Sequence, residues 1–270
     1  MIDFSSVKDK VAIVTGAADG LGKAIAKCYG ENGMKVIVSD VNAAKGLQTV
    51  LEIKEQGGQA AFFAADVSKE EQVKELIHFA IETFGRLDGI VNNAGISAAN
   101  RPLHEFSLTE YERLMDINLK GVFLGMKYGI EAILQSKSSS GFVVNIASMA
   151  GIEGNSAMGT YVGSKHGVVG FTKTAALDYA PYQITVNAIC PGTFRTSIWG
   201  DASEEVIQQY ATIFSPNGRL GDPKEVGYLA LFLASDLARY INGAVIPIDA
   251  GSGAGKVTPV KWGNPEILSK

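Results

Sequence analysis

Short apolar runs alternate with longer amphipathic stretches along this chain. The apolar runs at residues 11–14, 35–39 and 60–65 have the length and composition of buried strands. A helix is predicted after each of them, the first from Leu21, the second over residues 43–56 and the third over residues 69–84. Because strands buried on both faces form continuous apolar runs, this alternation predicts a parallel sheet with helices on both faces.

The same alternation continues through the second half of the chain. Further strands are predicted at residues 89–91, 142–147, 185–189 and 244–248, with long helical segments over residues 108–135 and 161–179. No Pro-, Ser- or Gly-rich linker and no repeat of fixed period divides the sequence. We therefore expect one α/β domain over residues 1–255, with a doubly wound, seven-stranded parallel sheet, and a C-terminal extension over residues 256–270.

Three glycines follow the first predicted strand and lead into a helix. Gly16, Gly20 and Gly22 have the spacing G-x-x-x-G-x-G, which differs from the G-x-G-x-x-G of the general dinucleotide fingerprint. Glycine permits a tight turn and a close backbone approach, and a helix N-terminus presents free N–H groups to phosphate. The segment therefore predicts a pyrophosphate site, with an ordinary glycine-rich turn as the alternative.

An acidic residue follows each of the next two predicted strands. Asp40 comes about twenty residues after the glycines, where a carboxylate can accept hydrogen bonds from adenosine ribose hydroxyls. The same carboxylate repels a 2′-phosphate and no arginine adjoins it, so Asp40 favours NAD over NADP. Alternatively, Asp40 caps the helix that begins near Asn42. Asp66 is either a helix cap or an acceptor from the adenine amino group.

Tyr161 and Lys165 lie one helical turn apart on one face of a predicted helix. A nearby ammonium favours phenolate, so Lys165 is expected to lower the tyrosine pKa towards neutral pH. A Tyr–Lys pair at this spacing is common by chance, and it gains weight only from other polar residues predicted at the same edge of the sheet. Those residues follow successive strands: Asn93, Asn118, Ser148, the Pro191-Gly192 pair and Thr196.

These motifs together resemble the short-chain dehydrogenase/reductase family in its single-domain form. The resemblance covers residues 8–252 and includes residues 15–22, Asp66, residues 92–95, Asn118, Ser148, Tyr161, Lys165, residues 191–192 and residues 249–251. It implies a Rossmann-type fold and hydride transfer between a nicotinamide and an alcohol or ketone.

The resemblance also implies a role for each of four catalytic residues. Tyr161 would be the general acid/base, and Ser148 would position the reacting oxygen. Lys165 would bind the nicotinamide ribose and lower the tyrosine pKa, and Asn118 would support a water-linked proton relay. The expected NAD-binding residues are Gly16, Asp19, Gly20, Leu21, Gly22, Asp40, Val41, Asp66, Val67, Asn93, Ala94, Gly95, Tyr161, Lys165, Pro191, Gly192, Phe194 and Thr196.

Charge and composition narrow the classes of partner. The formal net charge of −4 offers no broad basic surface, so nucleic acid and anionic lipid are not expected partners. No apolar run is long enough to span a bilayer and no signal peptide is evident, which favours a cytoplasmic protein. Cys28 and Cys190 match no disulfide or zinc spacing and are expected to be buried thiols. The three histidines share no ligand spacing, so no metal is expected.

The expected substrate is a small alcohol or ketone. Residues 151–158, which include Glu153 and Asn155, and the set Ile198, Trp199, Tyr210 and Phe214 are expected to line its pocket. This mixture of aromatic and polar groups suits a cyclic or steroid-like secondary alcohol or its ketone. Two other functions are considered: a carrier-protein-dependent β-ketoacyl reductase, which Asp40 and the acidic balance disfavour, and a noncatalytic NAD-binding regulator, which the Ser148, Tyr161 and Lys165 set disfavours.

The C-terminal extension departs from the family pattern. Asp249-Ala250-Gly251 replaces the usual D-G-G, and the apolar residues after it, among them Trp262, need burial. Family resemblance implies a homotetramer, or a homodimer, in which carboxyl termini lie near neighbouring subunits. Residues 256–270 are therefore expected either to cross an interface, with Trp262 helping to enclose a neighbour's pocket, or to pack on their own subunit.

Deleting the chain after Gly255 distinguishes these two arrangements. If the extension crosses an interface, truncation should raise KM for substrate while the affinity for NAD stays unchanged, because only the substrate pocket loses a wall. Sedimentation and steady-state kinetics measure mass and KM. A truncated protein that keeps both its oligomeric mass and its KM would contradict the crossing arrangement.

Overall fold

The computed structural model describes residues 3–136 and 140–255, apart from the side chain of Ile198, and the predicted extension lies outside the described residues. A single sheet of seven parallel strands forms the centre of this part of the chain. The strands are β1 (Val11–Thr15), β2 (Lys35–Asp40), β3 (Gln59–Ala64), β4 (Gly89–Asn92), β5 (Gly141–Ile146), β6 (Ile184–Pro191) and β7 (Val245–Ile248). Their order is β3-β2-β1-β4-β5-β6-β7, so the predicted doubly wound parallel sheet is confirmed.

Helices cover both faces of the sheet, as predicted. They are α1 (Gly20–Glu31), α2 (Ala43–Glu55), α3 (Glu70–Phe84), α4 (Leu108–Met115), α5 (Gly121–Gln135), α6 (Gly159–Tyr179), α7 (Glu204–Phe214) and α8 (Pro223–Ala234). One apolar core joins the sheet to α1, α2 and α8, and a second core joins it to α3, α5 and α6. Cys28 and Cys190 are free thiols buried in these cores. No helix in the described part of the chain is long and apolar enough to cross a bilayer.

Two regions differ from the sequence-based expectation. The helix predicted over residues 108–135 is α4 and α5 separated by one π-helical turn, Asp116–Lys120. Sequence analysis assigned no element to α7 and α8, although Asp222 and Glu225 form a capping box at the start of α8 and Pro223 occupies its first turn.

The strand order reverses between β1 and β4, and a set of polar contacts joins the loops that follow these two strands. Thr15 Oγ1 accepts hydrogen bonds from the backbone amides of Asn93 at 3.0 Å and Ala94 at 3.1 Å. The Asn93 side chain donates in return to the carbonyl oxygens of Thr15 at 2.9 Å and Gly16 at 3.0 Å. The crevice expected at such a switch point therefore has edges of defined position.

Candidate active site

The glycine-rich turn forms a close-packed cradle at the start of α1. Gly16 and Gly20 have φ values of +64° and +54°, which favour glycine. A Cβ on Gly22 would lie 2.2 Å from the carbonyl oxygen of Gly16 and 2.4 Å from Asn93 Nδ2. Asp19 caps the helix by accepting from the Gly20 amide at 2.7 Å, whereas the amides of Leu21 and Gly22 find no acceptor within the described part of the chain. This geometry fits an anionic group at the N-terminus of α1.

A cavity of about 990 Å³ runs along the carboxyl ends of the central strands, next to this cradle. Its volume lies near the upper end of the range of ligand pockets, roughly 300–1,000 Å³. It brings together most of the predicted site residues: Gly16, Asp19, Gly20, Leu21, Asp40, Asn93, Ala94, Gly95, Ser148, Tyr161, Lys165, Pro191, Gly192, Phe194 and Thr196. Five predicted residues do not line it: Gly22, Val41, Asp66, Val67 and Asn118.

Asp40 orients two segments of backbone at the edge of the cavity. Its Oδ2 accepts from the Ala18 amide at 3.1 Å and its Oδ1 accepts from the Asn42 amide at 2.9 Å. The alternative that Asp40 caps α2 is wrong, because the cap is Asn42, whose side chain accepts from the Lys45 amide. The position of Asp40 at the carboxyl end of β2 fits an acceptor for ribose hydroxyls.

Asp66, Val41 and Val67 lie beyond the cavity wall. Asp66 Oδ1 accepts from the Ser68 amide at 2.9 Å, and the Asp66 amide donates to Gln72 at 2.7 Å. The cap residue of α3 is Lys69, so Asp66 shapes the turn before this helix and is not its cap. Val41 is 72% exposed, and Val67 is buried.

Ser148, two residues after β5, and Tyr161, on α6, are hydrogen-bonded neighbours in the lining of the cavity. Ser148 directly follows Ala147 at the end of β5, and its Oγ accepts from the Ala150 amide at 3.1 Å. Burial raises the pKa of Tyr161 above its ordinary value of 10.0, and the Ser148 side chain offsets part of this rise by hydrogen bonding to the phenol oxygen. The expected lowering of the Tyr161 pKa by Lys165 is therefore not found in this structure.

Lys165 is 4% exposed, and its position explains this difference. Its ammonium donates to the carbonyl oxygen of Ile146 at 2.9 Å and lies 5.7 Å from the centroid of the Tyr161 ring. Burial lowers the pKa of Lys165 from 10.5 to about 8, and the nearby Cys190 opposes this change. At neutral pH the side chain is thus a buried cation, hydrogen-bonded to Ile146 in the wall of the cavity.

Asn118 lies behind the cavity wall, on the π-helical turn between α4 and α5, and is fully buried. Its Oδ1 accepts from the Ile96 amide and its Nδ2 donates to the Ile96 carbonyl, both at 2.8 Å. Nδ2 also lies 3.5 Å from Ser164 Oγ. The side chain therefore braces the loop after β4 against α6, a role that the sequence did not indicate.

An aromatic wall closes the far end of the cavity. Trp199 and Tyr210 form an edge-to-face pair with centroids 5.2 Å apart, and the Trp199 indole donates to the Phe194 carbonyl at 2.9 Å. Of the predicted substrate-pocket residues, Asn155, Trp199 and Tyr210 line the cavity; Phe214 stacks behind Tyr210, and Glu153 does not line it. The side chain of Ile198 lies outside the described residues.

Sequence reasoning missed several lining residues. Ile96, Ser97 and Asn100 follow the asparagine-rich segment after β4, and Ile146 and Ala147 precede Ser148. Their proximity to predicted site residues in the sequence was an available signal. Nothing in the sequence marked which of them point inward.

Comparison with known proteins identifies the family. A family model described as "Enoyl-(Acyl carrier protein) reductase" matches residues 16–253 of the chain. The chain belongs to the short-chain dehydrogenase/reductase family. It is therefore an oxidoreductase, and the family implies a nicotinamide cofactor.

Three relatives of this short-chain dehydrogenase/reductase resemble it over nearly the full length of both chains. The 2,5-dichloro-2,5-cyclohexadiene-1,4-diol dehydrogenase of Sphingobium indicum is 40% identical over 250 residues, which are 92% of this chain and 98% of the relative. A cyclohexanol dehydrogenase of an Acinetobacter species is 39% identical over 242 residues, 89% and 94% of the two chains. The crystal structure of levodione reductase matches with a TM-score of 0.86 at 35% identity, covering 92% of this chain and 99% of that one.

The buried ammonium of Lys165 predicts a pH dependence of stability. The pKa of Lys165 is about 8 in the folded protein. For the unfolded chain we take the ordinary lysine pKa, 10.5. Between these values the unfolded chain carries a proton that the folded protein lacks, so the free energy of unfolding rises with pH. From about pH 8 to about pH 9.5 we expect this contribution to be roughly 1–2 kcal/mol.

Urea unfolding of wild type, Lys165→Met and Lys173→Met at both pH values measures this contribution. Lys173 lies exposed on the same helix, so Lys173→Met should retain the wild-type pH dependence. Lys165→Met should lose the rise. The same pH dependence in all three proteins would contradict the assignment.

Proposed function

We propose that this protein is an NAD(H)-dependent oxidoreductase that interconverts a cyclic secondary alcohol and its ketone. The observation that carries the proposal is the convergence of Ser148, Tyr161 and Lys165 on the cavity that Asp40 and the glycine-rich turn also line. A hydroxyl, a phenol and a buried ammonium supply a hydrogen-bond donor, a proton carrier and a positive charge at one place. These are the groups that proton transfer to or from a reacting oxygen requires.

The protein's own side chains transfer one proton to or from the substrate and hydrogen-bond to its reacting oxygen. Towards the ketone, Tyr161 as phenolate takes the hydroxyl proton of the substrate while Ser148 hydrogen-bonds to the same oxygen. Towards the alcohol, Tyr161 as phenol returns the proton. The bound nicotinamide accepts or donates the hydride at the substrate carbon. Lys165 would hold the nicotinamide ribose, and a positive charge 5.7 Å from the Tyr161 ring would favour the phenolate form in the complex with substrate and cofactor.

The glycine-rich turn and the residue at the end of β2 support the proposal that the cofactor is a dinucleotide. The amides of Leu21 and Gly22, which find no acceptor in the described part of the chain, would bind a pyrophosphate, and Asp40 would accept from the adenosine ribose hydroxyls. A carboxylate at this point favours NAD, because a 2′-phosphate would bring like charges together. Asn93, Ala94 and Gly95, with Pro191, Gly192 and Thr196, flank the nicotinamide half.

The aromatic wall and the relatives support a ring-shaped substrate. Trp199 and Tyr210 provide flat apolar surface, and Asn155 provides a polar group nearby. Two relatives are named for six-membered ring alcohols, a cyclohexadiene-diol and cyclohexanol. The description of the matching family model instead names an enoyl-thioester reductase, and the alternative from the sequence is a β-ketoacyl reductase, so a crotonyl thioester and an acetoacetyl thioester belong in the substrate panel.

We also infer a homotetramer. Apolar side chains lie exposed on α5, α6 and near β7, among them Phe123 and Phe171, whose rings are 6.0 Å apart, and Tyr240. Exposed aromatic groups of this kind favour subunit contacts. Sedimentation of the full-length chain measures the assembly.

Replacement of Tyr161 tests the reaction. With NAD and a panel of cyclic and open-chain secondary alcohols, wild type should form reduced nicotinamide fastest with a cyclic alcohol. Tyr161→Phe should lower kcat by about 10²- to 10⁴-fold, because it removes the proton carrier and leaves the ring. Tyr179→Phe, on the same helix and outside the cavity, is the matched control. Turnover of Tyr161→Phe near that of the control would contradict the role, and preferred turnover of either thioester, followed as oxidation of NADH, would contradict the substrate class.

Replacement of Asp40 tests the choice of cofactor. Asp40→Ala should raise KM for NAD and narrow the gap in kcat/KM between NAD and NADP, since an acceptor for the ribose and a charge that repels phosphate are lost together. An added Val41→Arg should narrow the gap further. Steady-state kinetics with both cofactors gives the ratio of kcat/KM for NAD to kcat/KM for NADP in each protein. A ratio unchanged by Asp40→Ala would leave this carboxylate with a purely structural role.

A further inference from the structure

A lysine from α2 reaches across to the glycine-rich turn. Asn42 accepts the Lys45 amide at 3.1 Å and so fixes the first turn of α2. From there the Lys45 ammonium extends to Asp19 Oδ2 at 2.7 Å. The other oxygen of Asp19 accepts from the Gly20 amide at 2.7 Å. One carboxylate thus caps α1 and binds the lysine of the neighbouring helix.

The Lys45–Asp19 ion pair lies beside Asp40. Asp40 bonds to the amide of Ala18, the neighbour of Asp19, and to the amide of Asn42, the cap of the helix that carries Lys45. The hydrogen bond and charge of Asp19 raise the pKa of Lys45, and the charge of Asp40 adds to this effect. Two carboxylates and one ammonium therefore meet between the carboxyl ends of β1 and β2, with a net charge of one negative unit.

Stability of the fold does not explain this ion pair. The side chains of Lys45 and Asp19 are 57% and 40% exposed. An ion pair at this exposure contributes roughly 0–1 kcal/mol, because water screens both charges. Its position is more informative, since Asp19 and Asp40 line the large cavity at the edge where the proposed function places the adenosine ribose.

An ammonium at this edge would bind a phosphate on the ribose 2′ oxygen if it were not already neutralised. Asp40 does not hold Lys45 in the same way, because among the described residues the Lys45 ammonium forms its ion pair with Asp19 and none with Asp40. We propose that Asp19 sequesters Lys45 and thereby acts as a second specificity residue, with Asp40, against 2′-phosphorylated cofactors. Loss of the Asp19 charge alone then makes Lys45 a phosphate ligand. This inference rests on the proposed dinucleotide site.

Binding of two adenosine fragments tests the inference without turnover. Isothermal titration calorimetry gives Kd for 5′-AMP and for adenosine 2′,5′-bisphosphate, which differ only in the 2′-phosphate. Asp19→Asn retains a side chain that caps α1 and removes the charge. We expect it to improve the affinity for the bisphosphate relative to 5′-AMP by about tenfold or more, because an ammonium–phosphate hydrogen bond forms. The gain should shrink as salt is added.

The double variant Asp19→Asn/Lys45→Gln identifies the source of the gain. If Lys45 binds the phosphate, the double variant should return to the wild-type ratio of affinities. If the gain persists without Lys45, only repulsion by Asp19 has been removed and the inference is overturned. Asp19→Asn/Lys54→Gln is the matched control, because it removes a charge from the last turn of the same helix and should keep the gain.

The outcomes separate this inference from the proposed function. A wild-type protein that binds neither 5′-AMP nor NADH would overturn the dinucleotide site itself. A wild type that binds both, together with an Asp19→Asn variant whose ratio equals that of wild type, would overturn only the role of Asp19 and Lys45. Thermal unfolding of each variant shows whether a change in Kd reflects a change in fold.

Discussion

The site depends on the contact between the loops that follow β1 and β4. Two backbone amides converge on Thr15 Oγ1, and the Asn93 side chain returns hydrogen bonds to the carbonyl oxygens of Thr15 and Gly16. Backbone groups at this depth need partners, since an unpaired buried amide or carbonyl costs about 1–3 kcal/mol. The contact satisfies them and also leaves no room for a side chain on residue 22. The glycine-rich cradle and the wall of the cavity are thereby fixed relative to each other.

Lys165, in contrast, is a buried group whose charge costs the fold stability. Its ammonium lies in the interior with one carbonyl partner, Ile146, and burial lowers its pKa to about 8. Such a charge is costly for the fold unless it is paired. Perturbed groups of this kind concentrate at functional sites, where the cost is compensated by what the charge does to a neighbouring group. Here the neighbour is the Tyr161 ring, whose centroid lies 5.7 Å from the ammonium and whose hydroxyl has a pKa raised by burial.

The sequence predicted where site residues lie along the sheet better than it predicted their hydrogen-bond partners. Asp40 was expected at the carboxyl end of β2 and lies there, at the edge of the cavity, whereas the alternative role as cap of α2 belongs to Asn42. Asp66 follows β3 as expected, but its carboxylate is directed to the Ser68 amide and it does not line the cavity. Asn118 was expected near the catalytic residues, while its bonds to both backbone groups of Ile96 depend on a π-helical turn that no periodicity in the sequence announces.

The sequence by itself determined the alternation of strands and helices, the parallel sheet and the edge at which polar residues gather. These follow from local periodicity and from the rule that parallel strands end on one side, so they can be read without knowing any distance. Tertiary structure alone decided that Lys165 is buried, that Asn118 braces a loop and that Lys45 reaches Asp19. Each of these depends on residues far apart in the chain being brought within a few ångströms, and on burial that changes the free energy of a charge.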